Sequence, residues 1–344
     1  MTAPELQLAF LNKIQRLFAE GDFSASYKYA LLIAIADIAV ESGHEDNQPF
    51  VIPHRSLGAK FIDLYWQQSA PYRNNVLLIQ NNGTQAAVIS LIAQFRSKSH
   101  AATATSARAA VGFKSLLSKV TRIVVDKPVF HIQNLGGTKD QFLFESGTDG
   151  ITLLPGVAYC LRRFQPLVQQ LARSHWIGHV KRNKQNTHLL GQDNDLESFL
   201  FETSRQSLAV VQAGLRKISK RCFYCQREVH EADVDHFIPH ALYPRDLVHN
   251  FVLADPACNR SKSDTLAAKP HLHRWLDFVQ INADNLAQIG HDAGIMADAG
   301  STHSVVRWGY TNAVTSGAQG WIRAAQYEPI DGNYLELWRQ QAPN

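Results

Sequence analysis

The sequence predicts a mainly α-helical protein with a small embedded strand–strand–helix module, and therefore an α+β fold overall. Through most of residues 4–124, apolar side chains recur every three or four positions, which is the spacing of one helix face. Near residues 221–268 the chain instead concentrates its Cys, His, Asp and Asn residues around two short predicted strands. The first feature predicts the helices. The second predicts an irregular module that contains the candidate metal-binding and catalytic residues.

The composition is that of an ordinary globular protein. The 344 residues are 45% hydrophobic and 19% charged, and the formal net charge at pH 7 is +4. This mild positive charge permits a nucleic-acid partner without requiring one. The N-terminus lacks the basic segment of a secretory signal, and the apolar run at residues 30–40 is too short for a bilayer and contains Asp37. The sequence therefore predicts a cytoplasmic protein with no membrane partner.

Helices are expected before the module. Gly43 is the expected end of the helix at residues 23–43, and Pro166 is an expected interruption of the helix at residues 156–176. Residues 128–146 place β-branched and aromatic residues on both sides of an Asn-Leu-Gly-Gly turn, which predicts a hairpin. The predicted helices span residues 4–21, 23–43, 56–68, 83–95, 106–124, 156–176 and 196–220.

After the module, a helix is expected through Trp275 and Phe278. The Gly-, Ala- and Ser-rich residues 291–310 predict a surface loop, and residues 321–341 predict a helix, a turn and a second helix. The predicted organisation has four parts: a helical N-terminal region at 1–125, a hairpin with helices at 126–220, the module at 221–268 and a helical C-terminal wrap at 269–344.

Three of the four cysteines have spacing typical of a zinc site. A structural zinc takes four ligands, usually as two closely spaced pairs. Cys222-x-x-Cys225 supplies one pair, and Asp255-x-x-Cys258 is the expected second pair, with Asp255 where Cys or His is usual. His230 is the other candidate for the fourth ligand. The alternative is that the cysteines are small buried residues and that Asp255 belongs to a solvated turn.

Polar residues in the module match the requirements of phosphodiester hydrolysis. Such a site needs a base that deprotonates water, a divalent ion and cations that hold the backbone. His236 suits the base, and Asp235 and Asn259 offer the oxygen ligands that Mg²⁺ prefers. Arg260 and Lys262 are expected to contact phosphates. Any one of these residues alone is typical of an ordinary solvent-exposed side chain, but the whole ordered set is not.

The strand geometry sets a condition on this site. Neighbouring residues on a strand point to opposite faces, so Asp235 and His236 share a site only where the strand ends. Pro239 ends any strand here, because proline cannot donate to the ladder. Asn250 then precedes the apolar run FVLA, and the run CNRSK opens a predicted helix. The order is strand, loop, strand, helix, which is a minimal ββα arrangement.

The runs DVDHFIP and CNRSKSD resemble the two sequence blocks of the HNH nuclease family, also called ββα-metal or His-Me finger nucleases. They look like the blocks in the HNH domain of the RNA-guided CRISPR effector nuclease. This resemblance implies that His236 is the general base and that Asp235 and Asn259 bind one Mg²⁺ or Mn²⁺ ion. It also implies that Asn250 holds the His236 loop. Zinc-binding members carry a similar cysteine knuckle, and this chain departs from them at Asp255.

The function implied by the resemblance is a metal-dependent endonuclease that hydrolyses double-stranded DNA. Residues 23–40 look similar to N-terminal regions of bacterial HNH proteins from restriction and anti-phage contexts, where partner proteins of a defence system would act. The alternatives are a non-catalytic, zinc-stabilised nucleic-acid-binding module, an RNase and a secreted nuclease toxin. The motif does not distinguish DNA from RNA, and the oligomeric state is not predicted.

Two basic stretches precede the module. Residues 108–122 are best explained as a solvated helix face. Residues 173–184 hold Arg182 and Lys184 with Trp176 among the basic residues, and an interleaved aromatic residue is typical of surfaces that track a nucleic-acid backbone. Arg182 and Lys184 are therefore predicted to contact DNA, with a solvated face as the alternative.

Overall fold

The computed structural model of the chain describes residues 4–42, 49–73, 75–190, 196–202 and 204–340. The chain forms two compact units: unit 1 is Met1–Val40 with His44–Glu202, and unit 2 is Glu41–Gly43 with Thr203–Asn344. The division near residue 203 differs from the boundaries at 125, 220 and 268 that the sequence suggested. Among the described helices, none has the length and apolar character needed to cross a bilayer.

Unit 1 is built from helices with a small antiparallel sheet. In the sheet, residues 150–153 form the central strand between residues 50–53 and 144–146, and residues 134–135 pair with 138–139 in a separate short hairpin. Its helices are α1 Pro4–Glu20, α2 Tyr27–Glu41, α3 His54–Trp66, α4 Ala87–Ser99, α5 Ala104–Ala107, α6 Phe113–Val124, α7 Val157–Arg163, α8 Gln165–Arg182 and α9 Leu196–Phe201. Its strands are β1 Phe50–Pro53, β2 Asn134–Leu135, β3 Thr138–Lys139, β4 Phe144–Ser146 and β5 Gly150–Leu153.

The core of unit 1 surrounds α2, in which 13 of 15 residues are buried. Asp37 lies inside this apolar helix, and its carboxylate accepts a hydrogen bond of 2.6 Å from Nε2 of Gln169. The expected helices and the β2–β3 hairpin are present. The hairpin turns at Gly136 and Gly137, whose φ angles of 56° and 82° favour glycine. The expected stop at Gly43 lies outside the described residues.

Three predicted helices are each divided in two. Gly112, with a φ of 88°, separates α5 from α6. The break between α7 and α8 falls just before Pro166, as expected. The predicted helix at 196–220 ends at Phe201 and resumes at Arg205, because the Ser204 side chain accepts a hydrogen bond from the Ser207 amide and caps a new helix.

Unit 2 contains the strand–strand–helix order expected for the module. Strands β6 and β7 pair antiparallel, with His236 opposite Phe251, and α11 follows directly from β7. The elements of unit 2 are α10 Arg205–Ile218, β6 Asp233–His236, β7 Phe251–Ala254, α11 Pro256–Lys262, α12 Lys269–Ile281, α13 Ala283–Ala293, α14 Ala299–Ser316, β8 Gln319–Arg323, β9 Gln326–Pro329 and α15 Gly332–Gln340.

The predictions for the C-terminal part were wrong in two places. Residues 291–310 form the end of α13 and most of α14 rather than a loop. The reason is that Gly294 ends one helix and Oδ1 of Asp298 caps the next by accepting a 2.8 Å hydrogen bond from the Ser301 amide. The first predicted helix after residue 320 is instead the β8–β9 hairpin, in which Trp321 is buried.

Candidate functional site in unit 2

Three cysteines of unit 2 form one cluster. The Sγ atoms of Cys222, Cys225 and Cys258 all lie within 4.8 Å of one another. Cys222 and Cys225 belong to a tight turn in which the Gln226 amide donates a 3.0 Å hydrogen bond to the Cys222 carbonyl, and Cys258 lies in the first turn of α11. Three thiolates are soft ligands, so this cysteine cluster could hold a metal ion such as zinc.

The thiols of the cluster differ in their electrostatic environment. Burial raises the pKa of Cys258 to about 12, and the neighbouring Cys222 thiol acts in the same direction. Burial by itself would raise the pKa of Cys225 as well. Hydrogen bonds, chiefly those with Arg227, outweigh the effect of burial, and the pKa of this thiol is lowered. Cys225 therefore loses its proton more readily than Cys258, and a bound cation would favour the thiolate form of its cysteine ligands.

The assignment of Asp255 as a zinc ligand is corrected by the structure. Oδ1 of Asp255 accepts a 2.8 Å hydrogen bond from the Ala257 amide, so this side chain caps the N-terminus of α11. Within the described residues, Asp255 does not belong to the group of ligand atoms that the three cysteines form. The exposed His230 lies outside that group as well.

His236 is the last residue of β6 and is paired with a carboxylate. Its Nε2 lies 2.6 Å from Oδ1 of Asp246, which belongs to the segment between the two strands. The imidazole also packs against the Phe251 ring at a centroid distance of 4.7 Å. A proton on Nε2 is donated to Asp246, which leaves Nδ1 with the lone pair that a base requires. Asp246 was not predicted, because no spacing rule connects a loop carboxylate to His236.

Asn250 clamps the backbone that follows His236. Its Oδ1 accepts a 2.8 Å hydrogen bond from the Ile238 amide, and its Nδ2 donates a 3.0 Å hydrogen bond to the Ile238 carbonyl. The Asn250 carbonyl also accepts a 2.7 Å hydrogen bond from the Phe237 amide. These three contacts fix the segment in which the strand ends.

Asp235 is held inside unit 2 by a hydroxyl and an ammonium. The residue is 7% exposed, and its Oδ2 accepts a 2.5 Å hydrogen bond from the Tyr224 hydroxyl. Nζ of Lys262 lies 3.1 Å from the same oxygen and donates a 2.9 Å hydrogen bond to the His236 carbonyl. Asp235 and His236 therefore face different partners, as strand alternation requires.

This network corrects the expected role of Lys262. Its side chain is 0% exposed, so it lies in the interior rather than on a surface that a phosphate reaches. Burial lowers the pKa of Lys262, while Asp235 acts in the opposite direction. Lys262 is therefore a structural counterion of Asp235. Arg260, also on α11, is exposed and is available for a phosphate contact.

Asn259 contacts Asp233. Its Nδ2 donates a 2.9 Å hydrogen bond to Oδ2 of Asp233, and both side chains are half-buried. Asp233 and Asp235 are two residues apart on β6 and share the strand face that contacts α11, through Asn259 and Lys262. The carboxylate of Asp233 and the amide oxygen of Asn259 suit a hard divalent ion, whereas Asp235 already has a cationic partner. Asp233 was missed, although its spacing from Asp235 is a usable signal.

Only part of the second basic stretch, residues 173–184, lies on the surface. Arg182 and Lys184 are exposed at the end of α8 and just after it. Trp176 is fully buried, and its Nε1 donates a 2.7 Å hydrogen bond to Oε1 of Gln80. The expected interleaved aromatic is therefore a core residue, and only the two cations keep the expected placement.

Charge reversal of Arg182 and Lys184 is expected to weaken DNA binding. With each phosphate contact that is lost, DNA binding releases fewer counterions. The slope of log K against log salt concentration should therefore flatten by about 0.9 per contact. Fluorescence anisotropy with a labelled duplex at several salt concentrations measures both effects. Lys114→Glu with Lys119→Glu is the matched control, because these residues are exposed on α6. An unchanged slope in the Arg182 and Lys184 variant would identify a solvated face.

Comparison with known proteins gives one family. The family described as "Domain of unknown function (DUF8808)" matches residues 7–200, which is more than half of the chain. This span lies within unit 1 apart from residues 41–43, and it ends before the cysteine cluster and His236. No curated protein and no solved structure matches the chain.

Proposed function

We propose that this chain, which belongs to the family described as a domain of unknown function (DUF8808), is a metal-dependent HNH endonuclease that hydrolyses DNA phosphodiester bonds. The observation that carries the proposal is the position of His236 at the end of β6, with Asp246 on one ring nitrogen. The β6–β7–α11 order and the Asn250 clamp support it. A bacterial defence or restriction role is the proposed setting.

The proposed mechanism uses His236 as the general base. Nδ1 takes a proton from water while the water oxygen attacks the phosphorus atom, the bond from phosphorus to the 3′ oxygen breaks, and the 3′ oxygen takes up a proton from solvent. Asp246 stabilises the imidazolium that forms on His236. Asn250 positions His236 by fixing the backbone after it. Arg260 on the exposed side of α11 holds a neighbouring phosphate. A divalent ion, when bound, stabilises the charge that develops on the phosphate and on the leaving 3′ oxygen.

The proposed ligands of Mg²⁺ or Mn²⁺ lie between β6 and α11. Asn259 and Asp235 are the ligands that the HNH resemblance implies, and Asp233 is added because it contacts Asn259 directly. For zinc, the proposed ligands are Cys222, Cys225 and Cys258. The two sites differ in chemistry, since oxygen ligands select hard ions and thiolates select zinc.

A plasmid assay tests the proposed function. The purified chain is incubated with supercoiled DNA with and without Mg²⁺ or Mn²⁺, and nicked and linear products are separated on a gel. Cleavage that requires the divalent ion is expected. A parallel incubation with RNA separates the nuclease classes, because cleavage of RNA alone would identify an RNase. No cleavage of either substrate with any divalent ion would contradict the proposal.

A non-catalytic, zinc-stabilised nucleic-acid-binding module is the second candidate. One observation favours it: the carboxylate of Asp235 is satisfied by Tyr224 and Lys262 without an ion. Such a module would bind DNA with an affinity that does not depend on His236, and it would leave plasmid intact. The plasmid assay therefore separates it from the nuclease.

Variants of the oxygen ligands are expected to separate ion binding from folding. Asn259→Ala and Asp233→Asn should lose cleavage at low Mg²⁺ and recover part of it at higher Mg²⁺ or with Mn²⁺, because they weaken ion binding. Asp235→Asn should also destabilise unit 2 by about 3–5 kcal/mol, because the buried Lys262 loses its counterion. Cleavage rates across a metal titration and thermal unfolding measure these effects. Normal metal dependence in Asp235→Asn would remove Asp235 from the ligand set.

A further inference from the structure

Unit 1 contains a cavity of about 600 Å³ that the proposed nuclease chemistry does not use. A cavity of this volume is within the range of small-molecule sites, about 300–1,000 Å³. It opens beside the N-terminal ends of α2 and α4. Its polar lining includes Asp22, Lys28, Asn81, Thr84, Lys127 and His131.

Lys28 is the unusual residue of this cavity. It is the second residue of the buried helix α2 and is 8% exposed. Within the described part of the chain, no hydrogen-bond acceptor or carboxylate pairs with its Nζ, which lies 5.5 Å from the centroid of the Phe23 ring. Burial lowers the pKa of Lys28, and the charge of Asp22 opposes this shift without offsetting it. The side chain as a whole is buried, but among the described residues its Nζ is not one of the fully buried unpaired nitrogen atoms, so the ammonium faces the open cavity, where an anion can pair with it.

The surroundings of Lys28 are also positive. Gln85 and Ala87 line the cavity at the start of α4, where the Val88 amide donates a hydrogen bond to the Tyr27 hydroxyl. The N-terminus of a 13-residue helix carries a partial positive charge that favours anions. Among the described residues lining the cavity, two lysines, Lys28 and Lys127, outnumber the single acid, Asp22. The lining therefore favours a negatively charged occupant.

We infer that this cavity binds a phosphate-bearing small molecule of nucleotide size, with its phosphate paired to the ammonium of Lys28. Tyr27 contributes an aromatic wall. Its hydroxyl accepts a 3.1 Å hydrogen bond from the Val88 amide and thereby links this wall to the start of α4. The volume exceeds what inorganic phosphate fills, and the amide and hydroxyl groups of the lining suit the polar remainder of a nucleotide.

Titration calorimetry with AMP and with inorganic phosphate tests the inference on the full chain. AMP should bind the wild-type chain more tightly than phosphate. Lys28→Met should weaken AMP binding by about 10- to 100-fold, because a charge-assisted hydrogen bond is lost. Lys28→Arg keeps the charge and should retain binding. Lys139→Met, a change at an exposed lysine of β3, is the matched control and should bind as the wild type does.

Thermal unfolding gives a second readout that a merely structural role would not produce. AMP should raise the unfolding temperature of the wild type but not of Lys28→Met. Lys28→Arg should respond to AMP as the wild type does, because it keeps the charge. The inference is overturned if neither probe binds the wild type, if Lys28→Met binds AMP normally, or if AMP raises the unfolding temperature of Lys28→Met as much as that of the wild type.

Discussion

Replacing His236 with alanine is expected to abolish DNA cleavage while leaving the fold and DNA binding intact. The change removes the proposed base, and loss of a general base costs about 10²–10⁴-fold in rate. The imidazole is half-buried and contacts Asp246 and Phe251, but it is bound to neither the Lys262 network nor the cysteine cluster. Higher Mg²⁺ or Mn²⁺ should not restore cleavage, because the missing group accepts a proton rather than binding the ion.

Plasmid cleavage rates and duplex affinity, measured on the same preparation, check this result. His273→Ala is the matched control, since His273 is an exposed histidine of unit 2 whose Nδ1 lies 3.2 Å from Oδ2 of Asp277. Asp246→Asn and Asn250→Ala should fall between the wild type and His236→Ala, because they position the base without replacing it. Wild-type cleavage by His236→Ala would place the reaction elsewhere in the chain.

Replacing Cys222 with serine is expected to release the metal ion and unfold the module around the cysteine cluster. Cys222 is fully buried. The turn that holds Cys222 and Cys225 lies against Cys258 of α11, so a metal ion bound by the three thiols would link the turn to the helix. Structural zinc supplies about 10–16 kcal/mol in small zinc-finger peptides, which is as large as the whole stability of a typical domain, about 5–15 kcal/mol. The wild-type chain should therefore contain about one zinc, and the variant should contain none.

Elemental analysis of protein purified without chelator and thermal unfolding with and without EDTA measure these effects. Cys160→Ser is the matched control, because Cys160 is a buried cysteine of unit 1 outside the cluster. It should keep the zinc content and the chelator response of the wild type. Absence of zinc from the wild-type chain would make Cys222, Cys225 and Cys258 ordinary core residues.

The helices of unit 1 were predictable because their buried faces repeat in the sequence. Phe10, Ile14 and Leu17 of α1 are spaced three or four apart and are all buried. The helix α14 was not predictable in this way, because its small residues between Ala299 and Gly309 look like a loop. Burial against unit 2 side chains such as Ile238 fixes Gly309 within a helix, and this packing is absent from any local pattern.

The candidate site was predictable as a set of residues but not as a set of contacts. The order of His236, Asn250 and Asn259 in the sequence identified these polar residues. The partners that they have in the structure depend on the path of the segment between β6 and β7 and on which strand face meets α11. For this reason Asp246 and Asp233 were missed, and Lys262 was expected on the surface.

The crowding of α11 has a consequence for how this protein tolerates mutation. Four of its seven residues are each committed to a different neighbour: Cys258 to the thiols, Asn259 to Asp233, Ser261 to Trp321 and Lys262 to Asp235. A helix this short has little stability of its own and is maintained by these contacts. Substitutions at the four positions therefore do not act independently, because loss of one contact loosens the others. As far as the fold is concerned, we expect single substitutions in this helix to be tolerated best at its two exposed positions, Ala257 and Arg260.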